Sequence, residues 1–278
     1  MRVGSLQIVP LADGIAQVPV AEMLRFSGER DDPWAPHRRF LRDDGLLELA
    51  MGGFLVRTGR TGERVVLIDT GVGRIDNDRF KGGRFLDSLA AAGIEPADVT
   101  DVVLTHLHFD HVGWATQQGA VVFPNATYRC HPADWAHFVD GPAPEAGSVR
   151  KLSPIRDRLE PFVGDATVAP GITVRHAPGH TPGSAVVVVA DGDERAVLLG
   201  DVVHCPVELL EDDWEAIVDV DPQLAARTRA ALARELEGTG IPIAGAHFPG
   251  LSFGRLLGGT GRRSWFFEGA APVRSSSG

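Results

Sequence analysis

The stretch Thr105-His106-Leu107-His108-Phe109-Asp110-His111 places three imidazoles and a carboxylate within six residues, directly after the apolar run Val102-Val103-Leu104. Imidazole and carboxylate are the ligands that borderline divalent metals such as zinc accept. A short strand ending in a tight turn aims all four side chains at one point. A single catalytic zinc takes three protein ligands and keeps one position open. Four ligand-type side chains on one loop therefore suggest two neighbouring ions, with His106 and His108 on one and Asp110 and His111 on the other. The plain alternative is a polar turn whose histidines cap a strand end.

Two ions need further ligands, and the chain offers three. His180 lies in Pro178-Gly179-His180-Thr181-Pro182-Gly183, Asp201 follows Leu198-Leu199-Gly200, and His247 lies in Ala244-Gly245-Ala246-His247-Phe248-Pro249-Gly250. Each follows or ends an apolar run among Gly or Pro, the composition of a loop at a strand end. Loops placed by a rigid sheet are where sites are usually built. Alone, each would read as a surface residue; their recurrence in one local setting is the stronger signal.

The series His106-x-His108-x-Asp110-His111, then His180, Asp201 and His247, resembles the metallo-β-lactamase superfamily, and more narrowly its branch of dinuclear lactonases and methyl-parathion-hydrolase-like enzymes. The resemblance runs from about Gly53 to His247 and includes Val66-Leu67-Ile68-Asp69-Thr70-Gly71. It implies an α/β fold in four layers, an αβ/βα sandwich of two mixed sheets flanked by helices. It also implies two divalent ions, zinc by default, with manganese, cobalt or iron accepted by the same geometry. His106, His108 and His180 would hold one ion, Asp110, His111 and His247 the other, and Asp201 would bridge them. Asp69 would accept a hydrogen bond from a ligand histidine and fix its tautomer; its other reading is a turn residue before Gly71.

The activity implied is hydrolysis of an ester or lactone (an acyl-homoserine lactone, an aryl ester or a phosphotriester), with Asp110 and Asp201 in the catalytic machinery. Several acyl-homoserine lactonases of this family carry a tyrosine three residues after the bridging aspartate. Here that place is His204, and the only tyrosine, Tyr128, is elsewhere. A histidine can donate a hydrogen bond to an oxyanion or pass a proton; the alternative for His204 is a packed neighbour of the site. Rival readings are a thioester hydrolase of the glyoxalase II type, a β-lactamase, a mononuclear iron oxygenase of the persulfide type, and a regulatory protein that retains a metal site.

At 278 residues and 44% apolar, the chain fits a single domain over 1–278 with a substantial core. No apolar stretch approaches the roughly 20 residues of a membrane span, and the N-terminus lacks the pattern of a secretory signal. With Cys130 and Cys205 alone there is no disulfide framework, so a cytoplasmic location is expected. The charge of −10, from 37 acidic and 27 basic residues, weighs against nucleic acid as a partner. A small-molecule ester or lactone is the partner expected, and two divalent ions would let even an anionic one approach.

Residues 22–45 are too long for an ordinary connection and carry Phe26, Trp34 and Phe40. They read as an active-site lid or as the contact of a homodimer. Strand patterns fall at 6–9, 15–20, 46–56, 64–68, 101–104, 127–130, 167–169, 172–176, 185–189, 196–199 and 241–244. Apolar spacing predicts a helix over 79–92 with Gly93 as its stop. Helical intervals are also expected at 131–139 and from Asp221-Pro222 to 238, and a disordered tail at 275–278. Trp114 reads either as a wall of the pocket or as core, His131 as a helix cap or rim residue, and Cys205 as a small buried side chain.

Overall fold

The computed structural model describes residues 1–59, 63–259 and 261–269; the expected tail at 275–278 lies outside them. The N-terminal half builds one sheet. Its strands are β1 (Arg2–Val3), β2 (Leu6–Pro19), β3 (Leu46–Arg57), β4 (Val65–Ile68), β5 (Phe80–Lys81), β6 (Asp101–Val103) and β7 (Thr127–Arg129). They are ordered β1-β2-β3-β4-β6-β7, with β5 paired to β2. The C-terminal half builds the second sheet from β8 (Ala166–Ala169), β9 (Ile172–His176), β10 (Ala185–Asp191), β11 (Glu194–Leu198), β12 (Ile243–Ala244), β13 (Gly254–Leu257) and β14 (Ser264–Phe267), in that spatial order.

Sequence pattern explains which strands sit where. The first half of β2 alternates buried and more exposed residues, as a strand covered on one face does. Val65–Ile68 and Asp101–Val103 are buried throughout, and they pair in parallel at the centre of the sheet. Between the sheets lies a core of Ile8, Phe54, Val66, Ile68 and Val103 against Ile172, Val174, Val187 and Leu198. The outer face of the first sheet is covered by α1 (Phe85–Ala91), α2 (Pro132–Trp135) and α3 (Ala146–Leu152). The second sheet is covered by α4 (Pro222–Leu236), whose Leu232, Ala233 and Leu236 pack with Leu199 and Val203. Each such buried Leu or Phe contributes about 1.5–3 kcal/mol. The four layers are helix, sheet, sheet, helix, the sandwich that the resemblance implied.

The helix expected over 79–92 is shorter than its spacing suggested. Only Phe85–Ala91 is helical, while Phe80 and Lys81 pair with Ala16 and Ile15. Gly82-Gly83 separates the two, with Gly83 at φ 122, a conformation that interrupts any helix. The helix after Asp221 does form, capped by the Asp221 carboxylate, which accepts from Leu224 N at 2.9 Å. The 131–139 interval splits into α2 and a wider π turn over Ala136–Asp140, and the imidazole of His131 caps it by accepting from Ala133 N. Helix α3 carried no signal in the sequence reading.

Segment 22–45 folds back onto the body. Leu24–Phe26 pairs with Trp214–Ala216, and Trp34 and Phe40 are buried, Trp34 with its ring 4.7 Å from that of Trp214. Among the described residues no helix is long and apolar enough to cross a membrane. Strands β4 and β6 run parallel to each other, as do β11 and β12. Their C-terminal ends deliver Asp69, the 105–111 loop, Asp201 and His247 to one edge of the sandwich, which is where open α/β sheets place their ligands.

A candidate metal centre

Two backbone devices bring the loops together. The turn after β4 carries Asp69 at φ 63, a strained conformation for a residue with a side chain. This turn is stitched to the metal loop by Thr70 N to His111 O at 2.7 Å and Gly113 N to Gly71 O at 2.7 Å. A Cβ on Gly113 would lie 2.1 Å from the Val72 carbonyl carbon, so no other residue allows the two loops this approach. At the second sheet, Gly200 adopts φ 52 and turns the chain so that Asp201 faces inward; a Cβ there would meet Thr105 Oγ1 at 2.8 Å.

The seven side chains picked out by spacing converge. Ligand-type atoms of His106, His108 and His180 lie within 4.8 Å of one another, as do those of Asp110, His111 and His247. A third group, His106, His111 and Asp201, joins the two. His108 Nδ1 stands 3.0 Å from both His106 Nε2 and His180 Nε2. Asp201 lies between the triads: its Oδ1 is 3.2 Å from His111 Nε2, and its Oδ2 is 3.0 Å from His247 Nε2 and 3.6 Å from His180 Nε2. His247 Nε2 is also 3.5 Å from Asp110 Oδ2.

Outer partners set which nitrogen points inward in four of the five rings. The Nδ1 atoms of His111, His180, His247 and His106 face Asp69 Oδ2 at 2.8 Å, Asp219 Oδ1 at 3.0 Å, Ala50 O at 2.8 Å and Thr105 Oγ1 at 3.2 Å. Each contact leaves Nε2 free to ligate. Asp69 is itself held by Thr105 N at 2.7 Å and Thr105 Oγ1 at 2.8 Å.

Electrostatics divides the cluster. Burial lowers His106, His108 and His180, with His108 pushed down to about 3, so these rings are neutral, the form that binds metal. Burial works the same way on His111 and His247, but Asp201 foremost, joined by Asp69 and Asp110 at His111 and by Asp110 at His247, outweighs it and raises both. Asp201 is driven well below the usual carboxylate range despite its burial, by His111, His247 and His106. His111 Nε2 and Asp201 Oδ1 are buried without a hydrogen-bond partner. Five imidazoles and two carboxylates, two of whose inward atoms are left without a partner, fit a divalent-metal pair.

His204 reaches the same cluster. Its Nε2 is 3.5 Å from Asp201 Oδ2, and neither ring nitrogen has a hydrogen-bond partner although the residue is buried. Behind it sits a charge network that sequence reasoning missed. Glu208 accepts from His204 N at 2.6 Å and Cys205 N at 2.9 Å, and Arg229 on α4 lies 3.4 Å from Glu208 and 3.5 Å from Asp219. A fourth missed residue, Asp134, joins two loops that carry candidate ligands by accepting from Leu107 N, Thr181 Oγ1 and Gly183 N. None of these four stands in a glycine-flanked loop at a strand end, the one signal that marked the ligands.

The remaining candidates sit elsewhere. Trp114 is buried and donates to Asp13 Oδ2 at 3.0 Å, a core role. His131 stacks on His176 with ring centres 4.0 Å apart, away from the cluster. Cys130 and Cys205 are buried free thiols whose pKa burial pushes up. At the outer side of the cluster, half-exposed Phe109 meets Phe80 edge-on at 5.4 Å, and Phe138 meets His108 at 5.2 Å.

Comparison with known proteins agrees with this geometry. The family model described as Metallo-beta-lactamase superfamily matches residues 54–241. An N-acyl homoserine lactonase from a Bacillus species is 25% identical over 173 residues, 55% of this chain and 64% of the relative, so the match spans just under two thirds of that relative's length. The enzyme of the same name from Bacillus thuringiensis is 24% identical over 65% of this chain and 74% of its own. Among solved structures, AidC, a dizinc quorum-quenching lactonase, has a TM-score of 0.80 at 25% identity, covering 98% of this chain and 97% of that one. The hydrolase AbOPH in the beta lactamase superfamily has the same TM-score at 24% identity, covering 100% and 97%. These relatives and neighbours are hydrolases, and the lactonase neighbour is a metal enzyme. With its family match spanning most of the chain and a divalent-metal donor set at the edge of the same sandwich, the chain belongs to the metallo-beta-lactamase superfamily.

Proposed function

We propose that this protein is a dinuclear metal-dependent hydrolase that opens an ester or lactone. The observation that carries the reading is the pair of three-residue groups, His106/His108/His180 and Asp110/His111/His247, with Asp201 between them. Each group would hold one ion, zinc by default, and Asp201 would bridge. When bound, two divalent ions supply Lewis acidity and bring the deprotonation of water into the neutral range.

The chain's own residues do the rest. Asp69, Asp219 and the Ala50 carbonyl keep the ligand rings in one orientation, so the site is formed before substrate arrives. Asp201, whose Oδ1 meets His111 while its Oδ2 lies between His247 and His180, would fix the spacing of the two groups. His204 Nε2 is the donor available to the substrate oxygen on which negative charge develops. Phe109 and Phe80 form an apolar doorway suited to an acyl or aryl group. The lactonases among the relatives support the lactone as first substrate.

Metal analysis paired with hydrolysis of γ-lactones, aryl esters, a thioester and a phosphotriester tests this. About two ions per chain and chelator-sensitive lactone or ester turnover is the expected result. One tightly held iron without hydrolysis would replace the reading with an oxygenase, and no bound metal would leave a binding protein.

A further inference from the structure

A cavity of about 600 Å³ opens beside the metal centre, and none of the seven candidate ligands lines it. Its volume is in the range of small-molecule sites. The partition between the two is the backbone of Ala50, a cavity residue, which donates from N to His247 O at 3.3 Å while its carbonyl faces His247 Nδ1. The floor is apolar: Phe40, Leu41, Ala50 and Leu251 are buried there, with Ile15 half-buried beside them.

This floor is built rather than left over. Gly250 and Leu251 are consecutive left-handed residues, φ 62 and 54. A leucine in that conformation is strained and persists only where packing holds it. The packing is visible: Leu251 Cδ1 occupies the space over Gly52, where a Cβ would come within 2.9 Å of it.

The rim is cationic, against the chain's overall charge of −10. Four basic residues, Arg39, Arg42, Lys81 and Arg84, line the cavity with two acids, Asp13 and Glu48. Both Asp13 oxygens are consumed by donors of the fold: Gly83 N and Phe85 N at 2.9 Å, Gly73 N at 2.8 Å and Trp114 Nε1 at 3.0 Å. Glu48 and Asp44 take Arg42, and Asp76 takes Lys81. Arg39 donates to Trp265 O and lies over the Phe40 ring. The exposed Arg84 guanidinium has no partner among the described residues.

We propose that this cavity is a second binding site, for an amphiphilic carboxylate whose apolar body lies on the Phe40–Leu41–Leu251 floor and whose charge meets Arg84 at the rim. A neutral apolar molecule would leave Arg84 unused, and a multiply charged phosphate would bring poorly solvated charge onto an apolar floor.

Calorimetric titration of the metal-loaded protein with octanoate, and separately with 1-octanol, tests the proposal. Octanoate is expected to bind one per chain with Kd below about 1 mM, and octanol far more weakly. Arg84→Glu should weaken octanoate about tenfold or more, the value of one charge-assisted contact, and Ile15→Trp should fill the floor and abolish binding. Both variants are first checked for native circular dichroism and metal content; Arg84 is exposed, so its replacement leaves the core intact. No octanoate binding, equal binding of octanol, or binding indifferent to Arg84→Glu and lost on chelation would overturn the proposal, the last because the carboxylate would then sit on the ions.

Discussion

Asp69 shows how much one side chain can carry. Its two oxygens meet Thr105 N, Thr105 Oγ1 and His111 Nδ1, and it does so from a left-handed backbone position. Asp69→Ala is expected to weaken metal binding about 10- to 100-fold, the usual effect of losing a ligand's outer partner. Competition with a chromophoric chelator measures this, and an unchanged affinity would mean that Thr105 alone orients the ring. His204→Phe is expected to lower kcat about 100- to 1,000-fold, as loss of one oxyanion donor does, with metal content retained. Wild-type turnover in that variant would return His204 to a packing role. At this scale the cluster of candidate ligands was legible because metal chemistry demands particular side chains, and the demand survives in a bare string of letters. Asp219, Glu208 and Arg229 were not, because a buried charge network is defined by what folds against it. Arg229 reads in sequence as one more basic residue on a helix, yet it is 3% exposed.

Between residues and the whole stand the loops and the short helix that registers them. Asp134 on α2 grips the His106–His108 loop through Leu107 N and the His180 loop through Thr181 Oγ1 and Gly183 N. Burial raises its carboxyl to about 6, although the three donors pull the other way. An acid whose folded pKa is raised contributes stability in full below its unfolded value near 4, and that contribution is lost as pH rises through 6. The free energy of unfolding should therefore fall by roughly 3 kcal/mol between these limits on account of this group. Denaturant titrations across that range, compared with Asp134→Asn, check it: the variant should lack this component, and an identical slope in both would assign the loss elsewhere. Elements were read with uneven success for a physical reason. The helix after Asp221 has a cap, a first-turn proline and a long apolar face, whereas 79–92 has apolar spacing but a Gly-Gly pair that lets Phe80 join a sheet.

At the scale of the molecule, the four-layer sandwich was read from the resemblance, since alternating strands and helices alone argue only for one mixed α/β domain. Neither sheet holds a complete candidate group: His106 and His108 come from the first and His180 from the second, and Asp110 and His111 are likewise joined by His247. Bound ions would thus stabilise the docking of the two halves. With free ion at a thousand times Kd the gain is about 4 kcal/mol for each site, roughly 10 °C in melting temperature per site for a chain of this size. Thermal melts with and without chelator measure it, and coincident curves would show that the ions add nothing to the folded state.

The division of strands between the halves has a practical side. All of the first sheet precedes residue 130, all of the second follows 165, and the stretch 142–147 between them is exposed. A single cut there yields two pieces, each with a whole sheet and part of every ion site. Rejoining of such pieces would draw on the apolar core shared by the two sheets and, where the ions bind, on them as well.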